Sequence, residues 1–417
     1  MRRPPAARPV TAILLVGLAV EMLAGCAGNA FSEPARVSRR GGTVKIGFVA
    51  PLSGPFASLG HDMRRGFHLY LDRHEGRLGG RRVDLVDADE GAGPETGVPA
   101  VQRLVTRDRV AAVVGIVNSA VALGSRRTFV EARVPLIVAT AGANALTGMQ
   151  GSEFIWRTSF ASADFNDAAG RWLARQPPVP GGVFLLAADF VAGREQIAGF
   201  KTAFTAGGGH IAGELYSPFG TTQDFQPYLA QVRASGAGAV YAFYAGEDAV
   251  NFVRQYRDFG LAGRIPLYGP GSLTEGPVLD AQGAAADGII TANNYSRELE
   301  TPENRDFVAG YETAFHAPAT SYAVQAYDAA AVLNAVLGDL GADGDVTGAA
   351  LVAVLARLGD IESPRGTWRF NGRRNPQQTV YLRQVRRQGG GYVNAVVERL
   401  GLVDPAASGP GPAKERS

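Results

Sequence analysis

The regular pattern of the chain begins with an apolar run at residues 44–50, followed by a loop and an amphipathic segment. The run is short and rich in β-branched residues, which predicts a strand buried within a parallel sheet. Prolines and glycine at 51–55 interrupt regular structure, and Met63, Phe67 and Leu71 then recur at helical spacing. In an open α/β sheet, ligands bind at the carboxyl ends of strands, so this loop is a candidate site. The alternative is an ordinary connection between a strand and a helix.

The same alternation continues through most of the chain. Segments with helical spacing separate most of the apolar runs that follow the first one. Further strands are predicted at 83–88, 110–116, 136–140, 183–187, 211–216, 239–244 and 266–268. Two successive series of strands and helices indicate two doubly wound α/β sheets. No repeat of fixed period is present, which excludes a solenoid.

Composition agrees with a globular protein of two domains. The chain has 417 residues, of which 46% are hydrophobic and 19% are charged, so each domain could bury its own core. The formal net charge is only +2, which argues against a nucleic-acid partner because such binding needs a basic face.

The first 25 residues have the organisation of an export signal. Three arginines precede an apolar core at 13–20 that is too short to span a bilayer. Small residues then lead to Cys26, a pattern that resembles bacterial lipoprotein signals, in which this cysteine is acylated. We therefore expect an extracytoplasmic protein with a lipid anchor; a plain secretory signal is the alternative. Residues 26–42 are interpreted as a linker and 401–417 as a disordered tail.

Several kinds of chemistry find no support in the sequence. Cys26 is the only cysteine, which excludes an intramolecular disulfide and C-x-x-C redox or zinc chemistry. The five histidines have no metal-binding spacing, and no nucleotide-phosphate loop, dinucleotide fingerprint or nucleophile elbow is present. We therefore expect no metal, no cofactor and no enzymatic activity.

Small and hydroxyl-bearing residues follow three strands that are predicted in the first half, beginning with Ser53, Gly54 and Pro55 after the first strand. The candidate residues are Asn118, Ser119, Thr140, Ala141, Ala143 and Asn144. Hydroxyl groups and free N–H groups at a helix N-terminus suit a carboxylate, whereas capping of a helix is the alternative role for Asn118 and Ser119. The sequence thus predicts a carboxylate-binding, small-molecule site at these strand ends.

Three segments carry a resemblance to a known family. They are TVKIGFVAPLSGPFASLG (43–60), VNSAVALGSRRTFVEARVPLIVATAGANALT (117–147) and the long segment 200–261. These segments resemble the periplasmic leucine/isoleucine/valine-binding proteins, which are the solute receptors of ABC importers. Their order and spacing match over about residues 43–400.

The resemblance implies a type I periplasmic-binding fold, with two doubly wound α/β lobes hinged around a central ligand cleft. Lobe 1 would comprise 43–160 with 293–362, and lobe 2 would comprise 161–292 with 363–400. The implied partners are a small-molecule ligand, an ABC permease and its ATPase subunits, and the membrane through lipid on Cys26. The alternative is a ligand-sensing receptor that reports to a signalling system.

The family's ligand-binding positions transfer to residues of this sequence. Leu59 corresponds to the first-loop residue that stacks on the ligand, Ser119 to the serine that holds the carboxylate, and 141–144 to the next carboxylate-binding loop. On the second lobe, one aromatic position corresponds to Ala192, with Phe190 as the alternative source of the ring. A second-lobe tyrosine corresponds to Tyr244 or to its neighbour Ala245.

One position departs from the family pattern. The acid that pairs with the α-ammonium of an amino acid corresponds to Gly271, and a buried ammonium without a counter-charge is costly. Either Glu275 or Glu247 replaces that acid, or the ligand has no ammonium. An amino acid and an aromatic or aliphatic carboxylic acid therefore both remain open as ligands.

Overall fold

A computed structural model describes residues 42–404 of the chain. Its strands are β1 (Thr43–Ala50), β2 (Arg77–Leu78), β3 (Arg81–Asp89), β4 (Ala112–Gly115), β5 (Leu136–Val138), β6 (Ile155–Arg157), β7 (Val183–Asp189), β8 (Ile211–Pro218), β9 (Ala239–Phe243), β10 (Leu267–Pro270), β11 (Ile290–Asn293), β12 (Arg369–Phe370), β13 (Pro376–Gln388) and β14 (Gly391–Val403). Its α-helices are α1 (Ala57–Arg73), α2 (Pro94–Thr106), α3 (Ser119–Ala132), α4 (Ser162–Ala174), α5 (Val191–Ala206), α6 (Gln226–Ser235), α7 (Gly246–Asp258), α8 (Pro277–Gln282), α9 (Pro302–Phe315), α10 (Ser321–Leu340) and α11 (Gly348–Leu355).

The strands form two sheets. The first has the order β2-β3-β1-β4-β5-β6 and is parallel except for β2. Its central strand β1 pairs with β3 on one side and β4 on the other. Helices cover both faces of the sheet, which explains why this strand is apolar along its length instead of alternating.

The second sheet has the order β12-β13-β11-β10-β9-β7-β8, and β14 pairs with β13. Strands β7 to β11 are parallel to their neighbours among themselves, whereas β12, β13 and β14 join by antiparallel pairing. The sheet therefore combines a doubly wound part with a hairpin from the end of the chain.

Each sheet lies between two apolar clusters. On the first sheet, one cluster includes Phe67 of α1 and Val336 of α10, and the opposite cluster includes Val101 of α2 and Phe129 of α3. On the second sheet, the helices α6 and α7 cover one face and α4 and α5 cover the other. Although α10 follows β11 of the second sheet in sequence, it packs on the first sheet, and β12 to β14 then return to the second, so the chain crosses between the sheets more than once.

The predicted α/β architecture is confirmed, but some elements were missed. Sequence periodicity did not predict β6, β11 or α4, which are short or flanked by irregular segments. The prediction of a disordered tail from residue 401 is wrong at its start, because 401–403 belong to β14, where Val403 pairs with Gln378.

The lobe boundaries stay a prediction. Two segments lie outside the described part of the chain, namely residues 1–41, which include Cys26, and residues 405–417. Within residues 42–404, no helix is both long enough and apolar enough to cross a bilayer.

Candidate ligand-binding cleft

The carboxyl ends of strands from both sheets meet around a cavity of about 50 Å³. Loops after β1, β4, β5 and β6 line it from the first sheet, and residues at the ends of β7, β9 and β10 line it from the second. The lining residues are Phe56, Leu59, Val117, Ser119, Thr140, Gly142, Phe160, Phe190, Ala192, Gln196, Phe243, Ala245, Ser272 and Tyr322. Such a crevice at the ends of parallel strands is where open α/β folds bind ligands.

We call the side of the cavity formed by the first sheet the hydroxyl wall. It comprises the hydroxyl-bearing Ser119 and Thr140 together with the main chain of Gly142. Ser119 is the first residue of α3, and its Oγ accepts a hydrogen bond from the Ala143 N–H at 3.2 Å. Because Oγ acts as the acceptor in that bond, the hydroxyl hydrogen of Ser119 is free to be donated to a ligand. A Cβ at Gly142 would lie 2.6 Å from Ser162 Oγ, so this position can present only its main chain to the cavity.

Thr140 is less available as a donor. Its Oγ1 donates to the carbonyl of Ala139 at 2.7 Å, and Met63 Sδ lies 3.3 Å from the same oxygen. In the structure Thr140 therefore offers an acceptor and a methyl group to the cavity, and Ser119 is the better carboxylate donor of the two.

A strained turn positions Ser119. Gly115 has φ +133°, and a Cβ there would lie 1.9 Å from the carbonyl oxygen of Val49, while the next residue, Ile116, has φ +68°. A β-branched residue rarely adopts this conformation, and such strain persists where surrounding bonds enforce it. Here Ile116 donates its N–H to Val49 and accepts one from Ala141, both at 2.9 Å.

A buried acid fixes the residues after this turn. The Glu90 carboxylate accepts the N–H groups of Val117 at 2.8 Å and Asn118 at 2.6 Å, and burial raises the pKa of Glu90 to about 8. These two hydrogen bonds restrain the main chain that leads into Ser119.

The second side presents the aromatic wall, which comprises Phe190 and Phe243. The ring of Phe190 stacks on Phe219 with centroids 4.3 Å apart and tilts against Phe243 at 5.8 Å. Phe56, from the loop after β1, packs against Phe219 at 5.3 Å, so rings from both sheets meet at the cavity. Aromatic groups in these offset arrangements favour an aromatic or flat apolar ligand.

Loops of the two sheets are in direct contact across the cavity. Glu195 of α5 accepts the N–H of Asn144 at 2.9 Å, and burial raises the pKa of Glu195. At Gly246, which has φ +57°, a Cβ would lie 2.2 Å from the carbonyl oxygen of Pro55. Elements of the two sheets therefore touch beside the cavity.

Six of the residues named from the sequence line this cavity. They are Leu59, Ser119, Thr140, Phe190, Ala192 and Ala245. Asn118 has the capping role that was the alternative, because its side chain accepts the Ala120 N–H at 2.9 Å. Ala141, Ala143 and Asn144 do not line the cavity. They flank Gly142, which does, and their N–H groups donate to Ile116, Ser119 and Glu195, respectively.

Tyr244 does not line the cavity. It is fully buried in the core of the second sheet, against Phe225 and Phe252, and its hydroxyl lies 3.3 Å from Ser217 Oγ. Successive residues of a strand point to opposite faces, so Phe243 and Ala245 face the cavity when Tyr244 does not.

Neither Gly271 nor Glu275 places an acid at the cavity. Gly271 adjoins a smaller void of about 20 Å³, and a Cβ there would lie 2.3 Å from Asn293 Nδ2, which leaves no room for a carboxylate. Glu275 is buried in an ion pair with Arg383, with 2.8 Å between Oε2 and Nη1. In the structure Glu275 therefore does not line the cavity, and its charge is paired with Arg383.

Sequence reasoning missed other lining residues, among them Phe56, Phe160, Gln196, Ser272 and Tyr322. Phe56, Phe160 and Ser272 lie after strand ends, where the pattern predicts only a loop. Gln196 lies within α5 and Tyr322 in the first turn of α10, where helical spacing does not distinguish a lining residue from a core residue.

A larger groove of about 420 Å³ lies elsewhere on the described surface, lined among others by Glu275, Arg297 and Glu312. Four of its charged groups form ion pairs: Arg297 with Glu312 at 3.5 Å, and Glu275 with Arg383. The cavity between the sheets, in contrast, has a polar side and an apolar side directed at the same space, which is typical of a ligand site.

Two doubly wound sheets with a cavity between their strand ends are the architecture expected of a solute-binding protein. The sequence model of the family described as "Periplasmic binding protein" matches residues 43–391, and the chain belongs to that family. This confirms the resemblance seen in the sequence and the predicted type I periplasmic-binding fold.

Individual relatives agree with this assignment. The chain is 30% identical to Leu/Ile/Val-binding protein homolog 6 of Brucella melitensis over 394 residues, which cover 93% of this chain and 96% of the relative. An ABC-transporter solute-binding protein of R. palustris, solved in complex with benzoate, is 34% identical, with TM-score 0.79 and coverage of 86% and 96%. A second, from Rhodopseudomonas palustris BisB5 in complex with 3,4-dihydroxybenzoic acid, is 30% identical, with TM-score 0.81 and coverage of 88% and 99%.

The chain is thus the substrate-binding protein of an ABC transporter, and it is not an enzyme. It acts outside the cytoplasm, where it binds a small molecule and works with a permease and its ATPase.

Proposed function

We propose that this protein captures a small aromatic carboxylate of the benzoate class and presents it to the permease. The carrying observation is the composition of the cavity: the aromatic wall faces the hydroxyl wall, and no described lining residue is an acid or a basic side chain. A carboxylate could accept the Ser119 hydroxyl while its ring packs between the phenylalanines. An α-ammonium would be buried without a counter-charge, which costs several kcal/mol.

The solved relatives support this ligand class. Two proteins at least 30% identical to this chain were solved with benzoate and with 3,4-dihydroxybenzoic acid. Leucine, isoleucine and valine, after which the Brucella relative is named, remain the competing ligands.

Thermal stability and calorimetry with purified protein test the proposal directly. Benzoate, 3,4-dihydroxybenzoate, leucine and isoleucine are compared at matched concentrations. A ligand at one hundred times its Kd adds about 2.7 kcal/mol to the free energy of unfolding, which gives a clear shift in Tm. We expect the aromatic acids to stabilise the protein and the amino acids to have no effect. Stabilisation by leucine or isoleucine without a response to benzoate would overturn the proposal.

Binding is proposed to couple to a hinge between lobe 1 (43–160 and 293–362) and lobe 2 (161–292 and 363–400). A ligand that contacts both walls favours the closed arrangement by its differential contacts. The bond between Glu195 and the Asn144 N–H joins these lobes and would break on opening.

The protein is further proposed to be anchored by lipid at Cys26. The export signal and the small residues before the only cysteine of the chain support this. Cys26→Ser is expected to move the protein from the membrane fraction to the soluble fraction while benzoate binding is unchanged. Membrane association equal to that of the wild type would contradict the anchor.

Import is proposed in preference to sensing. Cells that lack this protein are expected to lose uptake of labelled benzoate, and the wild-type chain should restore it while Ser119→Ala restores it poorly. Unchanged uptake together with loss of a benzoate-dependent transcriptional response would favour the sensing alternative.

A further inference from the structure

Behind the hydroxyl wall lies a buried arginine without a direct ion pair among the described residues. Arg157 ends β6 and is 0% exposed. Its Nε donates to Asn375 Oδ1 at 2.9 Å, and its Nη2 donates to Thr147 Oγ1 at 3.2 Å. Burial lowers the pKa of Arg157 to about 10, so the guanidinium remains charged at neutral pH. The carboxyl groups of Asp164 and Glu195 act on this charge electrostatically without forming a direct ion pair with it. A positive charge is therefore held close to a cavity for which residues 42–404 supply no basic lining residue.

The remaining donors of Arg157 hold the carbonyl groups of the loop around Gly142. Nη1 donates to the carbonyl of Ala141 and, at 2.8 Å, to that of Phe160, and Nη2 donates to the carbonyl of Ala143 at 2.9 Å. In a planar trans peptide the C=O of one residue and the N–H of the next point in opposite directions. Two carbonyls directed at Arg157 therefore turn the N–H groups of Gly142 and Asn144 away from it.

One of these two N–H groups already binds a carboxylate. The Asn144 N–H, which is opposite the Ala143 carbonyl, donates to Glu195 Oε2 at 2.9 Å. The Gly142 N–H belongs to the equivalent peptide next to Ala141, and Gly142 lines the cavity between Ser119 and Phe160. The same loop thus offers one N–H to a carboxylate of the second sheet and a second N–H to the cavity.

We infer that Arg157 is a positioning residue for the ligand carboxylate. It does not touch the ligand but orients the Gly142 N–H toward it and supplies the positive potential that the cavity lining lacks. This inference rests on the proposed function, in which the ligand is an aromatic carboxylate. It explains how the protein recognises the negative charge of that ligand.

Benzoate and benzamide provide a readout that a purely structural role would not change. The two molecules share ring and shape, but only benzoate carries a negative charge. We expect wild-type protein to prefer benzoate, and Arg157→Gln to reduce the ratio of the two affinities roughly 10- to 100-fold, the range for loss of a charge-assisted hydrogen bond. Arg157→Lys retains the charge but cannot hold both carbonyls, and we expect it to lose part of the preference.

Arg365 offers a matched control. It is also fully buried, and it donates to Asp328 Oδ2 and to the carbonyl of Thr158, both at 2.7 Å, without lining the cavity. Arg365→Gln should lower the Tm but leave the benzoate-to-benzamide ratio unchanged.

The outcomes separate this inference from the proposed function. Equal losses of benzoate and benzamide affinity in the Arg157 variants, or a wild-type ratio in Arg157→Lys, would overturn the positioning role alone. Failure of wild-type protein to bind benzoate would overturn the proposed function and this inference together. If Arg157→Gln does not fold, Arg157→Lys decides the question by itself.

Discussion

The two walls of the cavity are built in different ways. The hydroxyl wall depends on main-chain geometry: a strained turn at Ile116, the N-terminus of α3 and a loop whose carbonyls are held by Arg157. The aromatic wall depends on side chains, with Phe190 stacked on Phe219 and tilted against Phe243. The buried Arg157 and Asp164 and the half-buried Glu195 lie near the hydroxyl wall.

This difference indicates that the two walls recognise different properties of the ligand. The hydroxyl wall discriminates by charge and position. Its hydrogen-bond donors are fixed, and a ligand that leaves a buried polar group without a partner binds less tightly. The aromatic wall discriminates by the size and flatness of the ligand and tolerates changes in its charge. Substitutions on the two walls should therefore have different signatures with benzoate and benzamide, and substitutions outside the cavity should change stability without changing affinity.

The largest effect is expected outside the cavity. Glu275→Gln breaks a fully buried ion pair with Arg383, in which Glu275 also accepts the Ser321 N–H at 2.7 Å, and should cost about 3–5 kcal/mol of unfolding free energy. Since Glu275 does not line the cavity, the benzoate affinity measured by calorimetry should stay within about twofold of wild type. Glu131→Gln, which breaks an exposed pair with Arg127, is the control and should cost less than about 1 kcal/mol. A large loss of benzoate affinity in Glu275→Gln would show that this acid acts on the ligand.

The next effect concerns pH and the charges near the hydroxyl wall. Burial raises the pKa of Asp164 from 3.8 to about 7, although its carboxylate accepts the Ala161 N–H at 2.8 Å. Between about pH 4 and pH 7 the folded protein therefore holds a proton that the unfolded chain has released, so the free energy of unfolding falls as pH rises. The contribution is on the order of 4 kcal/mol in total, or about 1 kcal/mol per pH unit.

Urea denaturation at several pH values checks this prediction. Asp164→Asn should flatten the decline in stability between pH 4 and 7 relative to wild type. Parallel curves for the two proteins would show that Asp164 is ionised in the folded state.

On the aromatic wall, Phe190→Ala should weaken benzoate binding by about 2–3 kcal/mol, because an apolar contact face is lost. Benzamide should be weakened by a similar amount, since the ring makes no distinction between the two. Phe259→Ala, which removes a partly buried ring that packs away from the cavity, should leave both affinities unchanged. Selective loss of benzoate alone in Phe190→Ala would contradict the division between the walls.

On the hydroxyl wall, Ser119→Ala should weaken benzoate binding by about 1.5–2 kcal/mol through loss of one charge-assisted hydrogen bond. The loss for benzamide should be smaller, because a neutral acceptor gains less from the same donor. Ser125→Ala on the same helix is a suitable control. Ser125 is buried, its hydroxyl has no hydrogen-bond partner within residues 42–404, and it does not line the cavity. An unchanged benzoate affinity in Ser119→Ala would assign carboxylate binding to the main chain alone.

Residues next to strand ends were well predicted where the role depends on local geometry. Ser119 could be identified because a hydroxyl residue after a buried strand and at the start of a helix is a local pattern. The sequence could not decide between Tyr244 and its neighbour Ala245. The side of the sheet on which each side chain lies depends on the packing of the helices, and Tyr244 is buried in the core. Arg157 was overlooked because the sequence FIWR shows only a charged residue after an apolar run.

By itself the sequence determined the α/β alternation, the loops at the strand ends and the family resemblance, because periodicity and local turn chemistry record which positions are buried. Only the tertiary structure decided which groups meet. Arg383 lies 108 residues from Glu275 and neutralises it, and Asn375 lies 218 residues from Arg157 and helps to hold it. Such partners are brought together by the crossings of the chain between the two sheets. The charge available to a ligand therefore depends on pairings over long sequence distances, which local patterns do not encode.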